Sequence, residues 1–244
     1  MSPTPSAPPA PGGDDDFERV WALADEVPGW LTRAQARVLW EQAGACPPGS
    51  RIVEIGSHRG RSTLVLAGAP GHPRVTAIDP FVTGRLFDGT AARRDLRSNL
   101  HRAGVEDRVD LLEERSGSVR RRWSTPVALV YVDGKHDHWT CLDDLRWEAF
   151  LPPGGTLLVH DAFSSIGVTT ALLRRCLTSR TLRYAGRTGS LATFHRAPNT
   201  AASRRALLRE LPWWVRNVGI KVLLRLRLRP VAAALGHRDR YDPY

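Results

Sequence analysis

Hydrophobic and polar positions alternate along this chain in blocks that predict its secondary structure. Short runs rich in Val, Ile and Leu are typical of buried strands, and they fall at residues 51–56, 74–79, 107–114, 127–133 and 156–161. Amphipathic stretches predict helices at residues 61–69, 91–104, 138–151 and about 166–177. Two further runs within 181–196 flank Thr188-Gly189 and predict an antiparallel hairpin. The expected fold is α/β: a doubly wound, mostly parallel seven-stranded sheet with helices on both faces and a C-terminal antiparallel hairpin.

The two ends of the chain differ in composition from this α/β region. Residues 1–16 are rich in Pro, Ala, Ser and Gly and lack the basic start and apolar core of a secretory signal, so we expect a disordered leader. Residues 17–47 predict a helical preface or lid. The main domain is expected at residues 48–198, followed by a basic helical C-terminal appendage at 199–244.

Charge and cysteine content narrow the class of protein. The 244 residues carry a formal net charge of +10, which suits nucleic acid, an anionic membrane surface or an acidic substrate. The three cysteines are widely spaced and odd in number, so they indicate neither a disulfide framework nor a zinc site. A cytoplasmic location is expected, with peripheral attachment at the inner face of the membrane as an alternative.

A glycine-containing loop follows the first predicted strand. Gly56 and Gly60 lie four residues apart and precede a helix, whose free N–H groups and positive dipole end suit a ligand. Asp79 ends the second strand, where a carboxylate can hold the two hydroxyls of a ribose. The spacing differs from the G-x-G-x-x-G pattern of dinucleotide sites, and Glu54 would repel a pyrophosphate. A nucleoside cofactor with a cationic amino-acid end is therefore favoured over NAD.

Four segments resemble successive motifs of one enzyme family. They read VEIGSHRGRST, VTAIDPF, VYVDGKH and LPPGGTLLVHDAF, and the likeness spans roughly residues 48–196. In this order they resemble the Rossmann-like class I S-adenosylmethionine-dependent methyltransferases. Within that family the chain most resembles the small-molecule branch, which includes macrocin-type sugar O-methyltransferases and cephalosporin-hydroxylase-like proteins. The resemblance implies S-adenosylmethionine as the cofactor.

The resemblance also implies roles for residues around the cofactor. Gly56 and Gly60 would border its methionine part, and Glu54 would lie near its amino end. Asp79 would bind the ribose, and Ser116 would lie at the adenine edge. The full set implied for cofactor binding, including hydroxyls at the helix start, is Glu54, Gly56, Ser57, Gly60, Ser62, Thr63, Asp79 and Ser116.

Acidic residues end two central strands and predict a metal site. Asp133 ends the fourth strand and Asp161 ends its expected neighbour, so their side chains can converge at one edge of the sheet. Carboxylates suit Mg²⁺, and acidic residues at these positions hold such an ion in the resembled metal-dependent enzymes. This chain departs from them at Ala162, where a further ligand is often found. Without an ion, the same carboxylates would bind the substrate or the cofactor amine. His160 is either a ligand or a loop-fixing hydrogen-bond partner.

His136 is the candidate general base, acting with Asp133 as the catalytic pair. Methyl transfer to a hydroxyl requires loss of the hydroxyl proton, and an imidazole that titrates near neutrality suits this task. Related enzymes place a lysine or histidine base at this position. For His138, next to the start of the following helix, solvent exposure or a capping contact is the favoured interpretation. Asp143 and Asp144 are expected to favour the dipole of that helix, although one of them could reach the pocket.

The C-terminal appendage is strongly basic. Residues 204–229 contain eight basic side chains against the single acid Glu210, and Trp213 and Trp214 lie among aliphatic residues. This composition is typical of a helix in a membrane interface, and it would make a lipid-linked glycan a reasonable acceptor. The alternative is a cationic helix packed on the catalytic domain or on a second subunit. No apolar run approaches the roughly 20 residues that span a bilayer.

The predicted function is S-adenosylmethionine-dependent methyl transfer to a hydroxyl of a small molecule, such as a sugar, a glycolipid or a natural product, with or without Mg²⁺. Nucleic acid is not expected as a partner, because Asp-Gly-Lys-His stands where base methylases carry an Asn/Asp-Pro-Pro-aromatic element. A catalytically inactive S-adenosylmethionine-binding or assembly protein and an NAD-dependent oxidoreductase are the alternatives. A homo-oligomer is also compatible with the sequence.

Overall fold

The computed structural model describes residues 13–84 and 88–237. Within them, seven strands form one sheet in the order β3-β2-β1-β4-β5-β7-β6. All neighbours are parallel except β7, which runs antiparallel to β5 and β6. The predicted sheet and its C-terminal hairpin are confirmed. The strands are β1 Arg51–Ile55, β2 Arg74–Ile78, β3 Val109–Leu112, β4 Leu129–Val132, β5 Thr156–Val159, β6 Leu182–Thr188 and β7 Leu191–Arg196.

Helices connect the strands and extend the chain at both ends. They are α1 Asp14–Asp25, α2 Arg33–Gly44, α3 Arg61–Ala67, α4 Gly89–Arg102, α5 Ser116–Arg121, α6 His138–Asp144, α7 Ile166–Thr178, α8 Ala201–Leu208, α9 Leu211–Arg225 and α10 Arg229–Ala234. Two predicted elements are shorter than expected. The third strand is preceded by a 3-10 turn over Glu106–Arg108, and the helix predicted for 138–151 continues after Asp144 as a 3-10 helix over Leu145–Phe150.

The sheet has a buried core on each face. Successive strand residues point to opposite faces, so Ile52 belongs to one core and Val53 to the other. The first core packs against α1 to α4, and the second against α6, α7 and the 3-10 helix that carries the fully buried Trp147. Since both faces are covered, the chemistry of this fold is left to the edge where the parallel strands end.

The N-terminal preface packs against the first face of the sheet. Phe17 of α1 and Trp40 of α2 are buried and meet edge to face, with ring centroids 5.6 Å apart. Thr32 begins α2 through a capping box with Gln35. Residues 1–12 of the expected leader lie outside the described residues, and α1 starts at Asp14, three residues before the order expected at Phe17.

The C-terminal appendage begins as helices packed on the domain. Leu207 of α8 is buried in the second core, and Ile220 of α9 is also fully buried. The Asn217 side-chain amide, fully buried on the same helix, donates to the backbone carbonyl of Phe163 at 2.9 Å. This contact attaches α9 beside the loop after β5. None of the helices within residues 13–84 and 88–237 combines the length and hydropathy needed to cross a bilayer.

Candidate active site

A cavity of about 1880 Å³ lies at the carboxyl edge of the parallel strands. The loops after β1, β2, β4 and β5 form its floor, as the topology of such sheets requires. The segment before α2 and one side of α9 complete its walls. Both terminal regions therefore contribute to the site.

Gly56 allows the loops after β1 and β4 to approach each other. Its φ is +89°, a left-handed conformation that favours glycine, and a Cβ placed there would lie 2.2 Å from the backbone oxygen of Asp133. Gly60 also has φ +89° and caps α3. Gly56 lines the cavity and Gly60 begins the helix that follows, as the spacing predicts.

Glu54 is bound by two residues that the sequence also assigned to the cofactor. Its carboxylate accepts hydrogen bonds from Ser62 Oγ at 2.5 Å and Thr63 Oγ1 at 2.6 Å. Glu54 and Thr63 are fully buried and do not line the cavity, whereas Ser57 and Ser62 do. Burial raises the pKa of Glu54 to about 7, against the hydrogen bonds that lower it. Glu54 therefore fixes the start of α3 behind the cavity wall.

The buried Glu54 makes stability dependent on pH. Because its pKa is raised from an ordinary 4.5 to about 7, the folded chain holds a proton that the unfolded chain releases over this range. This proton stabilises the folded state fully below pH 4.5, and the stabilisation is lost as pH rises to about 7. The free energy of unfolding should fall by about 3 kcal/mol at most over this range. We expect Glu54→Gln to flatten this part of the profile in urea unfolding measured against pH. Exposed Glu41→Gln is the matched control and should leave the slope unchanged.

Asp79 lies in the cavity at the end of β2. Its Oδ2 accepts from the backbone N–H of His58 at 2.9 Å, and its Oδ1 accepts from that of Phe81 at 2.8 Å. These bonds orient the carboxylate without using all of its lone pairs. Asp79 is therefore placed where the sequence predicted a group that holds vicinal hydroxyls.

Ser116 and Asp144 form a second polar pair in the cavity. Ser116 begins α5 and its hydroxyl donates to the Asp144 carboxylate. Asp144 is only 2% exposed, and burial raises its pKa to about 7 despite that hydrogen bond. Both acids of α6, Asp143 and Asp144, line the cavity, beyond the dipole role that the sequence suggested, and Asp144 is the buried one.

Asp133, His160 and Asp161 form an acidic and imidazole cluster at the ends of β4 and β5. One ligand atom from each lies within 4.8 Å of the others. The His160 Nδ1 atom is buried, 3.4 Å from Asp133 Oδ1 and 3.6 Å from Asp161 Oδ2, with no hydrogen-bond partner among the described residues. Tyr131 donates to Asp133 at 3.0 Å, and Ser164 donates to Asp161 at 2.8 Å. The predicted convergence of the two carboxylates is present, with an imidazole between them.

His136 contacts this cluster from the loop after β4. Its Nε2 lies 2.9 Å from Asp161 Oδ2 and 3.9 Å from Asp133 Oδ1. These carboxylates raise the pKa of His136 to about 10, so the ring carries a proton at neutral pH. Burial alone would raise the pKa of Asp161, but His136 and His160 hold it well below its usual value. Burial lowers the pKa of His160, but Asp133 and Asp161 outweigh this effect and raise it to about 10. The cluster therefore balances two carboxylates with two protonated imidazole rings.

A family model described as a methyltransferase domain matches residues 53–162. This match runs from β1 to the residue after Asp161 and includes the predicted cofactor and metal residues. Residues 53–162 are a methyltransferase domain. The predicted resemblance to the class I S-adenosylmethionine-dependent methyltransferases is confirmed by this match and by the strand order of the sheet.

Solved structures share the fold of this methyltransferase. The cofactor-bound protein Rv0187 from MTB is 22% identical, covers 77% of this chain and 92% of its own, and has a TM-score of 0.58. An O-methyltransferase from Bacillus cereus in complex with SAH is 17% identical over 75% of this chain and 92% of its own, with a TM-score of 0.53. The SAH-bound methyltransferase PaMTH1 from Podospora anserina is 15% identical, covers 76% of this chain and 89% of its own, and has a TM-score of 0.55. At these identities the likeness shows the fold alone.

Gln35 is a residue beside the candidate site that the sequence did not reveal. Its Nε2 donates to Ser190 Oγ at 3.1 Å, which leaves its Oε1 facing His160 Nε2 at 3.3 Å. An amide oxygen accepts, so this contact keeps the hydrogen on Nε2 and turns the Nδ1 of His160 toward Asp133 and Asp161. Gln35 lies 125 residues before His160, and its only sequence signal is the capping pattern with Thr32.

Helix α9 supplies basic residues to the cavity wall, and the sequence did not predict this position for them. Lys221 and Arg225 line the methyltransferase cavity together with Val218 and Val222. Burial lowers the pKa of half-buried Lys221, and the nearby Asp161 opposes this effect. The predicted basic appendage is thus part of the cavity wall as well as a packed helix.

Proposed function

We propose that this protein transfers a methyl group from S-adenosylmethionine to a hydroxyl of a small molecule. One observation carries the proposal: the glycine loop, Asp79 and the cluster around Asp133 and Asp161 line the same cavity. A carboxylate that can hold a nucleoside, beside a group that can accept a proton, suits hydroxyl methylation.

S-adenosylmethionine, when bound, supplies an electrophilic methyl group on a sulfonium. Gly56 and Gly60 leave room for its amino-acid end beside the start of α3, and Asp79 accepts from its ribose hydroxyls. Ser57 and Ser62 line the adjoining wall, and Ser116, held by Asp144, lies at the predicted adenine edge. Glu54 and Thr63 act indirectly, because Glu54 binds Ser62 and Thr63 and so fixes the loop.

The cluster residues also fit a divalent cation. Asp133 and Asp161 would supply oxygen ligands, and the buried Nδ1 of His160, which lacks a hydrogen-bond partner in the described chain, would supply a nitrogen after it loses its proton. A mixed oxygen and imidazole set suits Mn²⁺ at least as well as the Mg²⁺ predicted from sequence, because Mg²⁺ strongly prefers oxygen. A cation held there would polarise an acceptor hydroxyl. The imidazole of His160, turned toward the two carboxylates, would serve as the further ligand that Ala162 does not provide.

Proton removal from the acceptor hydroxyl is assigned to His136. Its nearer carboxylate partner is Asp161 at 2.9 Å, and Asp133, the partner predicted from sequence, lies at 3.9 Å. His136 is half exposed in the cavity, so an acceptor can approach its ring. The ring is protonated at neutral pH in the charge-balanced cluster, and its neutral form, which can accept a proton at Nε2, increases as pH rises. Asp133 and Asp161 stabilise the imidazolium that forms after proton transfer.

The acceptor is proposed to be a sugar, a glycolipid or a natural product. The cavity has room for a molecule of that size beside the cofactor region, and its lining is part apolar. The loop after β4 retains Asp-Gly-Lys-His in place of the elements that hold a flipped base, which argues against nucleic acid.

Calorimetric titration tests the cofactor proposal without an acceptor. S-adenosylmethionine should bind and NAD should not, with the wild-type full chain. Asp79→Asn should weaken S-adenosylmethionine binding by about tenfold or more, because a charged acceptor for the ribose hydroxyls is lost. Asp107→Asn, an exposed acid before β3, is the matched control and should bind as the wild type does. The proposal would be contradicted if the chain bound NAD but not S-adenosylmethionine. It would also be contradicted if Asp79→Asn and Asp107→Asn bound S-adenosylmethionine with equal affinity.

A further inference from the structure

Large apolar side chains surround the mouth of the cavity. Each lines the cavity and yet is more than half exposed to solvent, with Trp139 the most exposed at 69%. They come from five separate segments and are Trp30, Val82, Trp139, Ile166 and Val222. We call these residues the apolar rim. Single exposed apolar residues are ordinary on a protein surface, but a group that meets at one opening marks an interaction site.

One face of α9 continues this rim. Val215, Val222 and Leu226 are 51–65% exposed, and their spacings of seven and eleven residues place them along one side of the helix. The opposite side carries Asn217 and Ile220, which are buried against the domain. The inward face of α9 is therefore packed against the domain, and its outward face is apolar and exposed.

The chain after α9 adds more exposed apolar groups. Leu228, Val231 and Leu235 are 44–50% exposed, at spacings of three and four residues that share one side of α10. Arg216 of α9 donates to the backbone carbonyl of Leu235 at 2.9 Å, which attaches α10 to α9. We call the exposed apolar residues of both helices, together with the arginines among them, the apolar–basic face. It consists of Val215, Val222, Leu226, Leu228, Val231 and Leu235 with Arg225, Arg227 and Arg229.

The charged residues of α9 and α10 are all basic. Residues 211–237 contain no Asp or Glu, and they contain Arg216, Lys221, Arg225, Arg227 and Arg229. The last three are exposed, and Arg227 and Arg229 lie between the exposed leucines of the apolar–basic face. A partner that covers this face must therefore accept aliphatic side chains and supply negative charge.

We propose that the apolar–basic face and the apolar rim dock on an anionic lipid surface. Aliphatic and tryptophan side chains would enter the boundary between head groups and acyl chains, and the arginines would meet anionic head groups. The docked protein would then hold the mouth of its cavity against the lipid. This part of the inference rests on the proposed function: the methyl acceptor is a hydroxyl carried by an amphiphile that enters the cavity from the lipid.

A second copy of the chain fits this face less well. A two-fold interface would bring each arginine-rich segment against its own copy, and like charges across an interface are unfavourable. Nucleic acid would satisfy the arginines, but its backbone offers no apolar environment for the exposed leucines and valines. Vesicle binding, light scattering and competition by RNA distinguish these two partners from a lipid surface.

Vesicle co-sedimentation of the full chain tests the docking. The wild type should pellet with vesicles of mixed phosphatidylglycerol and phosphatidylcholine, should stay in the supernatant with phosphatidylcholine alone, and should be released by raised salt. Arg227→Gln with Arg229→Gln should lower partitioning about tenfold or more. Leu226→Ser with Val231→Ser should lower it by a similar factor, because the exposed aliphatic groups no longer enter the lipid.

Arg180→Gln with Arg183→Gln provides the matched control. These arginines are exposed, and Arg183 lies level with the first residue of β5, at the edge of the sheet opposite the cavity. This variant loses the same charge and should partition as the wild type does. Equal pelleting on neutral vesicles, no pelleting at all, or equal losses in both arginine variants would overturn the proposal. Self-association in light scattering, or RNA that displaces the vesicles while Leu226→Ser with Val231→Ser has no effect, would also overturn it.

Tryptophan fluorescence tests the orientation of the cavity mouth. Brominated phospholipids should quench the wild type, and Trp30→Phe with Trp139→Phe should lose a large part of that quenching while its partitioning changes little. Unchanged quenching would show that the mouth faces away from the lipid. None of these measurements depends on methyl transfer, so a failure of docking and a failure of the proposed function are distinguishable. S-adenosylmethionine binding can be followed in the same variants, and it should remain at the wild-type level in Arg227→Gln with Arg229→Gln.

Discussion

Asp161→Asn should lower methyl transfer by about 10³-fold and weaken Mn²⁺ binding by about 10²-fold or more. The substitution keeps the shape of the side chain, and asparagine tolerates the φ of +55° found at this position, so the fold should persist. It removes the carboxylate that lies 2.9 Å from His136 Nε2 and 3.6 Å from His160 Nδ1. The measurements are calorimetric titration with Mn²⁺ and release of SAH, with whichever sugar, glycolipid or phenolic acceptor the wild type methylates.

Asp143→Asn is the control for this effect. Asp143 lines the same cavity but pairs with Arg120 at 2.6 Å, away from the cluster. The control should retain cation binding and transfer within a few-fold of the wild type. If Asp161→Asn bound Mn²⁺ normally and lost activity, the carboxylate would act on the acceptor or on the cofactor amine without an ion.

His136→Ala should lower transfer by about 10² to 10⁴-fold while leaving the affinity for S-adenosylmethionine near the wild-type value. Its pH dependence gives a second criterion. The pKa of His136 is raised to about 10, so the proton-accepting form is scarce at neutral pH and increases as pH rises. Without a bound cation, the wild-type rate should therefore increase as pH rises from neutrality toward about 10, and His136→Ala should lose that increase.

His138→Ala is the matched histidine control. His138 Nδ1 lies 2.8 Å from Thr170 Oγ1, and this contact leaves its ring outside the charged cluster. Transfer by this variant should keep the wild-type profile. Full activity in His136→Ala would assign the role of base to another group, such as Asp161 or Asp133, whose carboxylates lie 2.9 Å and 3.9 Å from His136 Nε2.

The sheet was predictable because its signals are local. Each parallel strand shows as a short apolar run, and the hairpin shows as two runs around Thr188-Gly189. The limits of helices were less predictable. The α-helix starting at His138 ends at Asp144, and the next six residues, rich in large side chains, continue as a 3-10 helix that packs Trp147 under the sheet. Tertiary packing decides that boundary, and local propensity does not.

The site was predictable where chain order fixes position and unpredictable where distant segments meet. Gly56, Asp79, Asp133 and Asp161 all follow strands, so topology alone brings them to one edge. Gln35 comes from a helix that precedes the sheet, and Lys221 comes from one that follows it. No spacing rule connects those residues to the loops they reach. The charge state of His136 was equally hidden, since it depends on contacts of a few ångströms with two carboxylates.

The contact between Gln35 and His160 couples two regions of the protein thermodynamically. Gln35 belongs to α2, which is stabilised by its own capping box and by burial of Trp40 against Phe17. Any local opening of α2 removes the group that fixes the ring of His160, and a ligand on that ring favours the closed state of α2 by the same free energy. The N-terminal helices therefore act as an energetic partner of the reaction centre, and their fraying and the occupancy of that centre are reciprocally linked.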